Sequence, residues 1–335
     1  MNLVTGATGL VGSHMIAELL KHGEKVRALY RNEQNKSIVQ KVLSLYFQNA
    51  EQRLESIEWV QGDVLDTGSL AVAMEGVTMV YHAAGVVPFG PVRKRTMLET
   101  NMQGTANVVN ACLENQGIPL CHVSSIAAIG RTFDGSLIDE NCMLKPGKKT
   151  TVYSLSKFRS ELEVWRGINE GLRAVIVNPS VILGPALWDS PHRAVIGQVN
   201  KGLSFYPAGI EGFVDVRDVA GIMYRLMNSE ISGERYILNA ENRSYRDILT
   251  LIAKELGKRP PVHRITPWIA TTAVTADFIK ALFTGTRRQI TLEALGTASD
   301  ETRYSNEKIV KQLGVNFIPV EESVKKMVST CCGPF

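Results

Sequence analysis

The sequence predicts an α/β fold: a doubly wound parallel sheet with a smaller, mainly helical C-terminal region. Two observations carry this expectation. Short apolar runs alternate with amphipathic segments through the first half, and the chain opens on a strand, a glycine turn and a helix within twenty residues. Parallel neighbours require crossover connections, so strands separated by helical stretches lie side by side with helices on both faces. At 335 residues the chain is long enough to bury a large core.

Leu3-Val4-Thr5 reads as the first strand and Ser13 to Leu20 as the first helix, joined by Gly6-Ala7-Thr8-Gly9-Leu10-Val11-Gly12. Gly6 allows a tight turn, Gly9 lets the backbone approach a pyrophosphate, and Gly12 lets the helix pack on the sheet. The helix N-terminus then aims its free amides at the phosphates. The run reads as a Rossmann-type dinucleotide site, although its spacing is Gly-x-x-Gly-x-x-Gly; ordinary turn glycines are the competing reading.

Val26 to Tyr30, Ile57 to Gln61, Met79 to His82, Leu120 to Ser124 and Ala174 to Asn178 follow as strands. Glu33 to Glu55 is the longest crossover, with Ile38, Val39, Val42, Leu43, Leu45 and Tyr46 at helical spacing. After Gly184-Pro185 the pattern changes to turn residues and aromatics through Phe213. A helix near Val216 to Met227 and a strand at Glu234 to Asn239 come next. Ser244 caps a helix, Tyr245 to Leu256, that ends at Gly257, and Lys258-Arg259-Pro260-Pro261 breaks the pattern before a mainly helical remainder. Trp268 to Phe283 reads as a packed helix, with an interfacial membrane role as the alternative. The expected division is residues 1–183 and 213–240 for dinucleotide binding, and 184–212 and 241–335 for substrate.

Net charge is only +4 and the basic residues are scattered, apart from Arg93-Lys94-Arg95 and the cluster from Lys145 to Lys149, so no nucleic-acid or lipid surface is indicated. The five cysteines, 112, 121, 142, 331 and 332, have no metal spacing and read as reduced thiols, with Cys331-Cys332 in a tail. The first strand leaves no room for a signal peptide, and no apolar run reaches the roughly 20 residues of a membrane span, which together suggest the cytoplasm.

Tyr153-Ser154-Leu155-Ser156-Lys157 places a phenol and an amine on one face of a helix. A phenol with a pKa near 10 is a poor acid or base at neutral pH unless a nearby cation stabilises its anion, and the lysine meets that need. The spacing recurs at Tyr304 and Lys308, but no strand ending in hydroxyl residues precedes that copy. There Ser305 or Asn306 looks like the cap of a last helix running to Leu313, so the second copy reads as structural. The first copy follows Cys121-His122-Val123-Ser124-Ser125, a strand whose carboxyl end is where ligands sit in such sheets. Ser154 and Lys157 also form a Ser-x-x-Lys pair, but the Ser-Asp-Asn and Lys-Thr-Gly elements of a hydrolase are missing.

Thr5 to Gly12, the set of Ser125, Tyr153 and Lys157, and Asn178-Pro179-Ser180 together resemble the extended short-chain dehydrogenase/reductase family. Within it they resemble the branch of dihydroflavonol 4-reductase-like and 3β-hydroxysteroid dehydrogenase-like proteins, and the likeness runs from Met1 to about Leu256. The resemblance implies that Tyr153 is the general acid in carbonyl reduction, that Lys157 lowers its pKa and binds the nicotinamide ribose, and that Ser125 hydrogen-bonds the carbonyl oxygen. Gly130 stands at the family's offset after Ser125, and Ser124 is the fallback. It further implies cofactor contacts from Thr5, Gly6, Thr8, Gly9, Leu10 and Gly12, from Asp63-Val64 at the adenine, and from Ala83-Ala84-Gly85 behind the cofactor. Pro179 and Ser180 would abut the nicotinamide. Asn101 resembles an asparagine that orders water near the lysine, with a buried structural amide as the competing reading. Asp63 has the competing role of stabilising a turn, and His82 reads as a packed histidine.

The second strand ends at Tyr30-Arg31-Asn32, with no carboxylate for the ribose hydroxyls. Arg31 stands there instead, able to hold a 2'-phosphate, so NADP is favoured and NAD is the other candidate. Ile126-Ala127 after Ser125 lack the acid pair an elimination needs, and Val181 stands where sugar-nucleotide members carry an asparagine. Phe89, Phe133, Met143, Trp188, Phe205, Tyr206 and Phe213 offer apolar surface for a hydrophobic or aromatic carbonyl or alcohol substrate, with lid and core roles as the alternative. The expected activity is hydride transfer between nicotinamide and a secondary alcohol or ketone. A sugar-nucleotide epimerase and a non-catalytic dinucleotide sensor are the alternatives. Family members are often dimers through helices flanking the tyrosine, although Phe158, Leu162 and Trp165 can equally face the core.

Overall fold

The structure is a computed structural model that describes residues 1–87, 93–132, 135–148, 150–185, 191–266, 268–269 and 298–332. The strands described are β1 (Asn2–Thr5), β2 (Val26–Tyr30), β3 (Glu58–Gln61), β4 (Met79–His82), β5 (Leu120–Val123), β6 (Ala174–Pro179), β7 (Val181–Leu183), β8 (Phe205–Tyr206), β9 (Ile210–Asp215), β10 (Glu234–Leu238), β11 (Glu241–Ser244) and β12 (His263–Arg264). Seven of them form the main sheet in the order β10-β6-β5-β4-β1-β2-β3, and every neighbouring pair is parallel. Strand order runs outward from β1 in both directions, which leaves a crevice at the carboxyl ends of β1 and β4. β1, β5 and β6 are buried along their whole length, as apolar strands covered on both faces must be.

One face is covered by α1 (Leu10–Lys21), whose Met15, Ile16 and Leu19 pack with Ile222, Met223 and Leu226 of the helix Val216–Met227. The other face carries the helices Thr67–Met74, Gly104–Glu114 and Val152–Asn169, through Leu70, Met74, Val108, Val109 and Val164. Phe158 and Trp165 of the last of these are half-buried, and Leu162 is exposed. A third cluster joins Leu183 and Phe213 to the helices Pro191–Asn200, Tyr245–Glu255 and Val320–Cys332. It sits around the small sheet β11-β9-β7. Ser244 caps the helix after it in a reciprocal box with Asp247.

Several expectations change in detail. The crossover from Glu33 to Glu55 is two helices, Lys36–Leu43 and Ala50–Glu55, rather than one. The Ser44 hydroxyl turns back onto the Lys41 carbonyl (2.7 Å), a local bond that competes with helix continuation. The helix ending at Leu313 is not the last, and its starting amide at Glu307 is capped by Ser305 Oγ (3.2 Å). Cys331 lies in the helix Val320–Cys332 and packs on the third cluster instead of in a loose tail. Trp268 is exposed, while most of the segment from Trp268 to Phe283 lies outside the described residues. No helix among the described residues is long and apolar enough to cross a membrane.

Candidate active site

The phosphate cradle is built by the absence of side chains. Gly6 has φ +65°, and a β-carbon there would lie 2.5 Å from the Ala84 amide nitrogen. A β-carbon on Gly12 would lie 2.2 Å from the Gly6 carbonyl oxygen. The glycines therefore bring three backbones together, the turn after β1, the start of α1 and the loop after β4, with Ala83 N–H donating to the Thr5 carbonyl (3.2 Å). Gly9 is exposed at the head of α1, and no side chain caps that helix, so its leading amides are available to an anion. A dinucleotide pyrophosphate fits this cradle; Thr8 and Leu10, also expected at the cofactor, stand on either side of Gly9 in the chain.

At the other end of the crevice Arg31 is 65% exposed, and its Nη1 lies 3.7 Å from Asp63 Oδ2. The expected adenine and 2'-phosphate residues thus meet each other. Asp63 also holds its own turn, accepting from the Leu65 amide (3.0 Å). Val64 is buried against Gly104, and its carbonyl accepts from Asn107 Nδ2 (2.9 Å), so its side chain belongs to the core.

Thr151 caps the helix Val152–Asn169 and so fixes the first turn, where Tyr153 stands. The Tyr153 phenol faces the Ser125 side chain just past the end of β5. Burial pushes the phenol above its ordinary range and the Ser125 hydroxyl opposes the shift. Lys157, one turn on, is buried; its amine donates to the Val123 carbonyl (3.0 Å) and lies 3.2 Å from where a Gly85 β-carbon would stand. Burial pushes this amine down to about 8, against the attraction of Glu161. The expectation that the lysine depresses the phenol therefore gives way here to desolvation. Ser125 Oγ also accepts from the Ala127 amide (3.1 Å), and Gly130 has no room for a side chain because Met143 O would be 2.3 Å away.

Asn101 lies in a wide helical turn, Glu99–Gln103, that the sequence did not reveal. Its amide is committed to the Val86 backbone (2.7 and 3.0 Å) and to Ser156 Oγ (2.9 Å), which fits the structural reading. His82 is packed between Thr5 Oγ1 (2.7 Å) and Thr105 Oγ1 (3.0 Å), and burial lowers its pKa to about 3. Pro179 and Ser180 lie buried at the end of β6, where the Ser180 hydroxyl donates to the Leu238 carbonyl (3.1 Å).

Other candidates fall elsewhere. Ser154 Oγ accepts from Thr151 Oγ1 (3.1 Å) while the Lys157 amine turns to Val123, so the two form no nucleophile–base pair. Tyr304 is packed with Ile129, Ile138 and Ile237, and Lys308 pairs with Glu234 (2.6 Å), as a structural copy should. Phe213 is core, edge-on to Tyr245, whereas Met143 and Phe205 are exposed and Tyr206 is half-buried. Phe89, Phe133 and Trp188 lie outside the described residues. The residue missed by sequence reasoning is Glu161, nearly fully buried and bonded to Ser124 Oγ (2.6 Å), Asn178 Nδ2 (2.5 Å) and Arg235 Nη1 (3.1 Å). A carboxylate one turn after the lysine was its only local signal. No cluster of metal-ligating side chains occurs among the described residues.

Fold and site define a dinucleotide-binding α/β protein with a serine, a tyrosine and a lysine gathered at the switch point of its sheet. Residues 2–239 match the model of the NAD dependent epimerase/dehydratase family, and the chain belongs to that family. The resemblance to extended short-chain dehydrogenase/reductases is thereby borne out. The chain is 29% identical to a putative dihydroflavonol 4-reductase of a Synechocystis species, over 97% of this chain and 92% of that one. It is 32% identical to tetraketide alpha-pyrone reductase 2 of Arabidopsis thaliana, over 77% and 83%. The crystal structure of gox2253, 29% identical, superposes with a TM-score of 0.81 over 98% of this chain and 97% of that one.

Proposed function

We propose that the protein is an NADP-preferring oxidoreductase that interconverts a secondary alcohol and a ketone on an apolar or aromatic substrate. The observation that carries this reading is the Tyr153 phenol facing Ser125, with the Lys157 amine buried one turn away beside Gly85. When bound, the nicotinamide supplies or accepts the hydride. Gly6, Gly9, Gly12 and the first amides of α1 hold its pyrophosphate, Arg31 takes the 2'-phosphate, and Ala83-Ala84-Gly85 back the cofactor. Residues 1–183 and 213–240 form the cofactor side, and 184–212 and 241–335 the substrate side.

In the reductive direction Ser125 donates a hydrogen bond to the carbonyl oxygen and Tyr153 gives that oxygen its proton. A phenol pushed up by burial stays protonated at neutral pH, which suits an acid. The Lys157 amine, at about 8, is mostly cationic at pH 7 and favours the phenolate left behind. Two relatives named as reductases agree with this direction. The test is Tyr153→Phe, followed by NADPH oxidation against a panel of aryl ketones and dihydroflavonols. Loss of the general acid is expected to cost roughly 10²- to 10⁴-fold in kcat with NADPH affinity little changed. Turnover near the wild-type rate overturns the assignment.

A further inference from the structure

We propose that Glu161 is a positioning residue for this reaction: its buried carboxylate clamps the ends of β5 and β6 to the helix that carries Tyr153 and Lys157, and so fixes Ser125 opposite the phenol. The inference rests on the hydride-transfer reading above. Glu161 follows Lys157 by one helical turn, on the same face. One carboxylate oxygen accepts from both Ser124 Oγ (2.6 Å) and Asn178 Nδ2 (2.5 Å). The other meets Arg235 Nη1 of β10 (3.1 Å). Ser124 is the chain neighbour of Ser125, and the same Asn178 amide also donates to the Ser125 carbonyl (2.9 Å). Ser125 is therefore held from its preceding residue and from its own carbonyl, and both restraints lead to Glu161.

The anchor is itself anchored. Arg235 donates through Nε to the Glu140 carbonyl (2.9 Å), and the Glu140 carboxylate accepts from the Ile237 amide (2.8 Å), locking β10 to the loop before the tyrosine helix. A buried carboxylate is costly to desolvate, and three polar partners from three separate chain segments around one buried ion are more than packing alone requires. The clamp also has an electrical consequence. The titratable groups that act on the Lys157 amine are Glu161 on its own helix, His82 on β4 and His122 on β5. Both histidines are held neutral by burial, so Glu161 is the anion that keeps Lys157 charged, with Arg235 on its far side.

The decisive variant is Glu161→Gln, which keeps the shape and removes the charge. In lysine-labelled protein, with the Lys157 carbon resonance assigned by its loss in Lys157→Met, the midpoint of the Lys157 titration is expected to fall by about one pH unit or more. In the NADPH assay kcat is expected to drop roughly tenfold to a hundredfold, with NADPH affinity within about threefold of wild type. An unmoved Lys157 midpoint, or a wild-type kcat, overturns the proposal, as does a fall in melting temperature with neither change. If Glu161→Gln fails to fold, Glu161→Gln/Arg235→Met removes both buried charges, and a wild-type kcat there is equally fatal. Tyr153→Phe run in parallel separates the two ideas. If it stays active the reaction reading fails, while the lysine titration still judges the clamp.

Discussion

The proposed NADP preference rests on Arg31, and the structure bounds the size of the effect to be expected. The guanidinium is 65% exposed and only loosely engaged with Asp63 at 3.7 Å, so it is free to swing onto a 2'-phosphate. A charge-assisted bond to phosphate contributes about 1.5–3 kcal/mol in protected settings. Exposure places Arg31 at the low end, about 1.5 kcal/mol, or roughly tenfold in affinity. Arg31→Ala is therefore expected to weaken NADPH about tenfold and to leave NADH within about threefold. Asp63 acts in the opposite sense: its carboxylate competes for the guanidinium and repels the phosphate. An exposed pair of charges about 4 Å apart interacts with ~1 kcal/mol in water, so Asp63→Asn should strengthen NADPH by no more than about fivefold. The retained amide oxygen can still accept from Leu65. Both constants are measured by quenching of protein fluorescence at low and high salt, since screening should shrink the Arg31 effect. Equal weakening of NADPH and NADH by Arg31→Ala, or no weakening of either, refutes the 2'-phosphate role.

Gly12→Ala should raise the dissociation constant for either dinucleotide at least tenfold and lower stability by about 1–3 kcal/mol, because its β-carbon would meet backbone at 2.2 Å and lift α1 off the turn. Unchanged calorimetric binding would contradict that geometry. Burial lowers the folded pKa of His82 to about 3, against about 6.5 unfolded, so the unfolded state binds the extra proton and stability falls as pH drops below about 6.5. Between pH 7 and pH 5 this one group should cost about 2 kcal/mol, a loss that His82→Asn removes; parallel urea titrations of the two proteins at both pH values would expose an error.

What the sequence disclosed was local chemistry. Glycines at 6, 9 and 12 have one economical explanation, and a phenol four residues before an amine after a hydroxyl-ended strand has another. What it hid depends on distant partners. Glu161 meets residues 124, 178 and 235, far apart in the chain, and nothing about an isolated glutamate in an amphipathic helix announces a buried ion. Phe213 and Val214 alternate on β9, so one faces the third cluster and the other the main core, and aromatic character alone could not say that Phe213 leaves the pocket. The direction of the Tyr153 shift was hidden for a different reason: desolvation depends on how deeply the phenol is enclosed, which spacing does not record.

The glycine turn and the tyrosine helix are also joined by a chain of neutral hydrogen bonds whose polarity can be deduced. Thr105 uses its hydroxyl proton on the Asn101 carbonyl (2.6 Å), so its oxygen must accept from His82 Nε2, and His82 Nδ1 must then accept from Thr5. Neutral imidazole alone satisfies both contacts in this order, in agreement with its strongly lowered pKa. Beyond Asn101 the amide donates to Ser156 Oγ, and Ser156 donates to the Tyr153 carbonyl (2.8 Å). The turn after β1 and the first turn of the tyrosine helix are thus linked without any buried charge. On the opposite side Ser125 is held through an ion pair. A charged anchor next to the phosphate cradle would bias anion binding, whereas one behind Lys157 keeps the ammonium in place. Segregating the two kinds of network keeps buried charge out of the glycine turn and places the ion pair behind the Lys157 ammonium.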